Sequence, residues 1–226
     1  PRGLGGRPAP GASLPAPGRD QRDDPHLLVA APAGRDAAGP VQREGRPGPF
    51  RPTGQDDLAP SGTQAKLDAN LAALRVLEQC RADDRWATED EQRVLARWAG
   101  WGAVPQVFDE DADRLTTERT ELRALLGTED AWVQARRTTL NAHYTSATVV
   151  ASMWRAVEAL GFDGTGSVLE PGCGSGNFIG FAPPGASLTG IELDRTTAEI
   201  ARQLYGARAT IHPIGFEDHR VDDGTY

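Results

Sequence analysis

VLEPGCGSGNF, residues 168–178, decides how this chain is read. A short apolar, β-branched entry follows Gly166, an acid (Glu170) stands where a strand should end, and glycine then occupies alternate positions, Gly172, Gly174 and Gly176. Without Cβ atoms such a turn can take positive φ and bring backbone amides close to a ligand. A helix beginning near Asn177 and Phe178 would point its free N–H groups into the same space, favouring a carboxylate or phosphate there. The stretch therefore predicts a strand, a ligand-binding turn and a helix.

The spacing separates this turn from the nicotinamide and flavin fingerprint, which reads G-x-G-x-x-G. Here the run is E-P-G-C-G-S-G, and a second apolar stretch, Gly190-Ile-Glu-Leu-Asp194, follows with its own acid at Glu192. Together these resemble motifs I and II of the class I S-adenosylmethionine (SAM)-dependent methyltransferases. That resemblance implies SAM as cofactor, held by Glu170, Gly172, Gly174, Gly176, Asn177 and Phe178, with Glu192 accepting the ribose hydroxyls.

Composition is uneven along the 226 residues. Residues 1–60 hold 12 of the 17 prolines and lack apolar periodicity. Such a segment buries too little surface to offset its ordering entropy, so residues 1–62, rich in Pro, Gly, Ala and Arg, are expected to be disordered. The formal net charge is −8, which argues against a dedicated nucleic-acid face within these residues, because phosphate binding needs clustered Lys and Arg. Cys80 and Cys173 stand far apart without Cys or His neighbours at ligand spacing, so neither a disulfide framework nor a metal site is expected. No stretch has the length of a membrane helix and no leader is recognisable, so a cytoplasmic location is expected. The chain begins with Pro1 and is expected to belong to a longer reading frame.

Residues 63–140 read as a helical leader. Leu67, Leu71, Leu74 and Leu77 share a helical stripe from Gln64 to Cys80. Thr88-Glu-Asp-Glu91 has the form of a capping box, opening a helix expected to carry Val94, Leu95 and Trp98 and to stop at Gly100. Trp101, between two glycines, reads as a packed anchor. Further helices are expected over Thr117–Leu126, stopped by Gly127, and after Thr128, carrying Trp132, Val133 and Leu140 inward. The acidic run Asp109–Asp113 lacks the glycine and terminal Glu of a calcium loop and reads as solvated.

Asn141-Ala-His-Tyr-Thr-Ser146 then precedes an amphipathic helix with Val149, Val150, Met153, Trp154, Val157 and Leu160 on one side, Gly161 as its stop and Thr145 as its expected N-cap. An aromatic-Thr pair before motif I resembles motif X of the amino-methyltransferases, which implies that Tyr144 and Thr145 close over the methionine end of the cofactor. From Ser167 onward strands alternate with helices: strands Val168–Glu170, Leu188–Glu192 and Ala209–Ile214, with helices after Asn177 and over Thr196–Tyr205. This predicts an α/β fold with a parallel sheet, the first half of a Rossmann-like methyltransferase sheet, whose ligand lies beyond the strand ends. Phe216 would lie against the adenine ring with Glu217 or Asp218 near its amino group.

LARWAGWG, TLNAHYTS, VLEPGCGSGNFIG, GIELD and GFED together resemble the N6-adenine DNA methyltransferase modules of large methyltransferase–helicase fusion proteins of phages, plasmids and mobile elements, some of them antirestriction proteins. The resemblance covers residues 63–226. It implies methyl transfer from SAM to an adenine N6, DNA as the full-length protein's substrate bound mainly outside this segment, and a helicase domain further along the same chain. The Asn/Asp-Pro-Pro-Tyr/Phe motif that carries catalysis in that family is absent from the sequence, so residues 141–226 are expected to be a SAM-binding part truncated before the fourth strand, with no catalytic residue and inactive alone. A glutamine- or RNA-directed amino-methyltransferase, or a non-catalytic SAM-fold module of a helicase, would share the same motifs.

Overall fold

The structure, a computed structural model, describes residues 46–140 and 143–226. Asn141 and Ala142, and the expected disorder of residues 1–45, lie outside the described residues. Among the described residues seven α-helices and three strands follow in order: α1 (Thr63–Ala82), α2 (Glu89–Leu95), α3 (Thr116–Leu126), α4 (Glu129–Arg137), α5 (Ala147–Ala159), β1 (Thr165–Pro171), α6 (Asn177–Phe181), β2 (Gly185–Ile191), α7 (Arg195–Tyr205) and β3 (Ala209–His212). None of the helices among the described residues is long and apolar enough to cross a membrane.

The sheet is parallel, as the alternation of strands and helices predicts, and its order is β1-β2-β3. Register sets Val168 beside Leu188, Glu170 beside Gly190 and Gly190 beside Ile211. Because side chains alternate along a strand, Val168, Leu188, Ala209 and Ile211 share one face, which joins the core formed with α6 and α7. On the opposite face Ser187 and Thr210 are exposed. β1 is an edge strand, and its first three residues are exposed.

The leader shares that core. Leu67, Leu71, Leu74 and Leu77 of α1 are all 3% exposed or less, and Trp98, Trp101, Phe108 and Trp132 make a file of edge-on rings with centroids 5.4, 5.5 and 4.8 Å apart. Trp101 is 2% exposed, the anchor the glycine-flanked position predicts. Buried Asn70 fastens α1 to this corner: its Nδ2 donates to the Gly100 carbonyl (2.7 Å) and its Oδ1 accepts from Ala99 N–H (2.8 Å). Gln92 Nε2 donates to the Gln203 carbonyl at 3.1 Å, and Gln203 Oε1 accepts from Ala87 N–H at 2.8 Å, joining α2 to α7. Arg119 donates to the carbonyls of Val107 and Ala112, which holds the acidic loop in place.

Several boundaries differ from the sequence expectation. Residues 46–62, expected to be disordered, pack on the body: Phe50 N–H donates to the Leu204 carbonyl at 2.9 Å, and Leu58 is 2% exposed. Sparse apolar residues suffice there because α7 supplies the surface they lie on. α2 stops at Leu95 rather than Gly100, and Trp98 reaches its buried position from a turn, with its amide on the Leu95 carbonyl. Of Trp132, Val133 and Leu140 only Trp132 is buried: Val133 is 37% exposed, and Leu140, 80% exposed, lies beyond α4 in a 3-10 turn over Thr138–Leu140. The N-cap of α5 is Ser146, one residue later than expected, and it makes no side-chain cap bond. The broad apolar side of α5 is also largely uncovered: Val150 is buried, whereas Val149, Met153, Val157 and Leu160 are exposed.

Candidate functional site

The site forms where β1 and β2 end. Glu170 sits beside Gly190, so Glu192 projects one pleat further on from the same side of the sheet. The turn between β1 and α6 wraps the two acids, with φ of 72°, 57° and 91° at Gly172, Gly174 and Gly176. The glycines do separate work. A Cβ on Gly172 would meet nothing within 4 Å, so this position faces open space. On Gly174 it would lie 3.0 Å from the Tyr144 ring, and on Gly176 it would lie 2.6 Å from the Tyr205 ring. Gly174 thus gives room to the tyrosine of the 143–146 segment. Gly176, with Gly180 one turn later, lets α7 pack against α6.

The loop amides are less open than the glycine spacing implies. Gly174 N–H donates to Glu192 Oε2 (2.9 Å), Cys173 N–H to the Ile191 carbonyl (2.8 Å) and Gly176 N–H to the Cys173 carbonyl (2.9 Å). The turn braces the second acid. Glu192 Oε1 accepts in addition from Asp194 N–H at 2.8 Å. Each carboxylate oxygen has then received one proton donor and keeps a lone pair for another.

A hydrogen-bonded relay ties Glu192 to the leader. Asp194 caps α7, accepting from Thr197 N–H at 2.9 Å and from its hydroxyl at 2.6 Å, and Thr197 Oγ1 accepts from Trp98 Nε1–H at 3.1 Å. Asp194-Arg-Thr-Thr197 has the pattern of a cap before a helix, a legible signal for residues that motif spacing alone passed over. Trp98 carries no such signal, because its partner lies 99 residues away.

Both acids are held toward their neutral forms. Burial, then the neighbouring Glu192, pushes Glu170 up to about 8, and its buried Oε2 has no hydrogen-bond partner. Burial also raises Glu192, opposed by the Asp194 and Gly174 amides. Burial, then Glu170 and Glu192, raises the Cys173 thiol, a cysteine 4% exposed that fills the space left by Gly190. Burial and Glu192 likewise raise the Tyr144 phenol.

The other predicted site residues spread more widely. The Thr145 carbonyl accepts from Asn177 Nδ2 at 3.0 Å, so the buried Asn177 positions the Tyr144–Thr145 segment. Phe178 accepts Trp154 Nε1–H on its carbonyl (3.0 Å), and its ring lines a cavity of about 220 Å³ together with Met153, Trp154, Val168 and Glu170. Phe216 and Glu217 lie in a short 3-10 turn beyond β3, where Phe216 is 55% exposed. β3 touches the site through its His212 carbonyl, which accepts Glu192 N–H at 3.0 Å.

The arrangement fits the cofactor that the motifs imply: an open turn at Gly172, a braced acid at Glu192, a tyrosine over Gly174 and an unpartnered carboxyl at Glu170. No protein-family model and no curated protein matches this chain. Among solved structures, it is similar to a provisionally assigned class I S-adenosylmethionine-dependent methyltransferase from Listeria monocytogenes, at 14% identity and a TM-score of 0.29. The likeness covers 71% of this chain and 55% of the Listeria chain.

Proposed function

We propose that this chain carries the cofactor-binding part of a SAM-dependent methyltransferase, and that the whole protein methylates the N6 amino group of adenine in DNA. The observation that carries the cofactor reading is Glu192, held by the Gly174 and Asp194 amides at the ends of adjacent parallel strands. Asp194, Thr197 and Trp98 preset that carboxylate, so binding needs little rearrangement, which is how preorganisation raises affinity. Tyr144 would cover the ligand from above Gly174, and Glu170 would face its positive charge.

Bound SAM supplies an activated methyl group on a sulfonium, so the protein's part in transfer is positioning and charge stabilisation. The adenine choice rests on the Tyr144–Thr145 segment standing immediately before α5 and β1, in the order seen in amino-methyltransferases. These 226 residues contain no Asn/Asp-Pro-Pro-Tyr/Phe sequence, and the expectation is that they bind SAM without transferring its methyl group. Equilibrium dialysis with labelled SAM tests the cofactor: one site per chain, displaced by S-adenosylhomocysteine and not by NAD, is expected. Displacement by NAD, or no uptake by folded protein, overturns the reading. Transfer of label from SAM to DNA by these residues alone would overturn the expected inactivity.

A further inference from the structure

Among the described residues, one oxygen of the Glu170 carboxyl has no partner. Its Oε2 is buried without a hydrogen bond, and it borders the apolar cavity lined by Trp154, Phe178 and Ile179. Among the titratable groups around it, Glu192 beyond β2, Cys173 in the turn and Tyr205 of α7 can bring only negative charge or none. The residues that line this cavity from α5 and α6, Met153, Trp154, Val157, Phe178 and Ile179, are uncharged. A carboxylate in such surroundings costs several kcal/mol to desolvate unless a cation or donor arrives, so it keeps its proton instead.

We propose that Glu170 reads the positive charge of the cofactor: it is a neutral carboxylic acid in the ligand-free site and releases its proton to solvent when the cationic ligand binds. The inference rests on the cofactor reading above and adds to it a linkage between affinity and pH. One proton leaves the Glu170 carboxyl, its carboxylate stays in the site, and the ligand's charge replaces the proton's.

The sign follows from the raised Glu170 value, about 8. Below that pH the proton must be expelled on binding, so affinity is expected to weaken about tenfold for each pH unit between 8 and 6 and to level off above 8. Proton release per ligand should approach one at pH 6.5 and fall to about half at pH 8.

Isothermal titration of SAM into the full chain, at pH 6 to 8 and in buffers of different ionisation enthalpy, measures both quantities. Glu170→Gln keeps the side-chain shape, and it should abolish the release and flatten the pH dependence, with circular dichroism confirming the fold. Release that persists undiminished in Glu170→Gln overturns the assignment. SAM that binds wild-type protein with no proton release overturns the inference and leaves the cofactor reading standing, whereas no binding at any pH overturns both. Should Glu170→Gln fail to fold, the wild-type titration still decides, because release well short of one proton per ligand at pH 6.5 overturns the inference.

Discussion

At the scale of single residues, alternate glycines in one turn do different jobs, and substitution separates them. Gly176→Ala places a methyl 2.6 Å from the Tyr205 ring at a φ of 91°, so strain and overpacking together should cost about 2–4 kcal/mol. Gly172→Ala meets open space and should cost only about 1–2 kcal/mol from its positive φ, with its larger effect on SAM affinity. Urea denaturation and SAM titration on both variants check this; equal destabilisation would contradict the assignment. The sequence shows that the turn must be glycine-rich, and the strand-turn-acid order is readable from residues 168–194. It does not show which glycine faces a ring, because Tyr144 and Tyr205 arrive from elements distant in sequence.

Elements were legible where their signals are local. Thr88 accepts from Glu91 N–H at 3.3 Å and its own amide donates to Glu91 Oε2 at 2.8 Å, the reciprocal bonds that Thr-x-x-Glu predicts. Arg85 bonds both oxygens of Glu91, at 2.6 and 2.8 Å, and that pairing, ahead of the Thr88 bonds, holds Glu91 down at about 2 against an ordinary 4.5. A depressed folded-state pKa stabilises above the unfolded value and is lost as pH falls through the folded one. The contribution should therefore disappear between about pH 4.5 and 2, and Glu91→Gln should flatten acid-denaturation curves in that window. Asn70 lay within a leucine stripe, and nothing local marked it as the clamp on Ala99 and Gly100. Asn70→Ala strands two buried backbone groups and should cost about 2–4 kcal/mol, read as a lower urea midpoint; a loss under 0.5 kcal/mol would deny the clamp. α5 shows the opposite limit: periodicity predicts an apolar face but cannot say what covers it, and most of that face is exposed.

For the whole molecule, the helical leader, residues 46–62 and the parallel sheet share one core, so the leader acts on the site through Trp98, Thr197 and Asp194. The alternation of strands and helices made the parallel sheet readable, whereas the packing of residues 46–62 depends on long-range bonds, such as Phe50 N–H to the Leu204 carbonyl, that composition does not reveal. The edge of β1 beside the uncovered side of α5 leaves apolar surface of the kind that drives association. Sedimentation velocity should show concentration-dependent association of this chain, reduced by the exposed-site pair Met153→Lys and Val157→Glu without a change in melting temperature. The central claim is that the turn at Gly172–Gly176 and the acid Glu192 form the SAM socket. Titrating SAM into 15N-labelled protein tests it most directly: the amide signals of Gly172, Gly174 and Asp194 should move together and saturate at one ligand per chain, and Glu192→Gln should abolish the movement. Signals that stay still, or that move at a different surface, would contradict it.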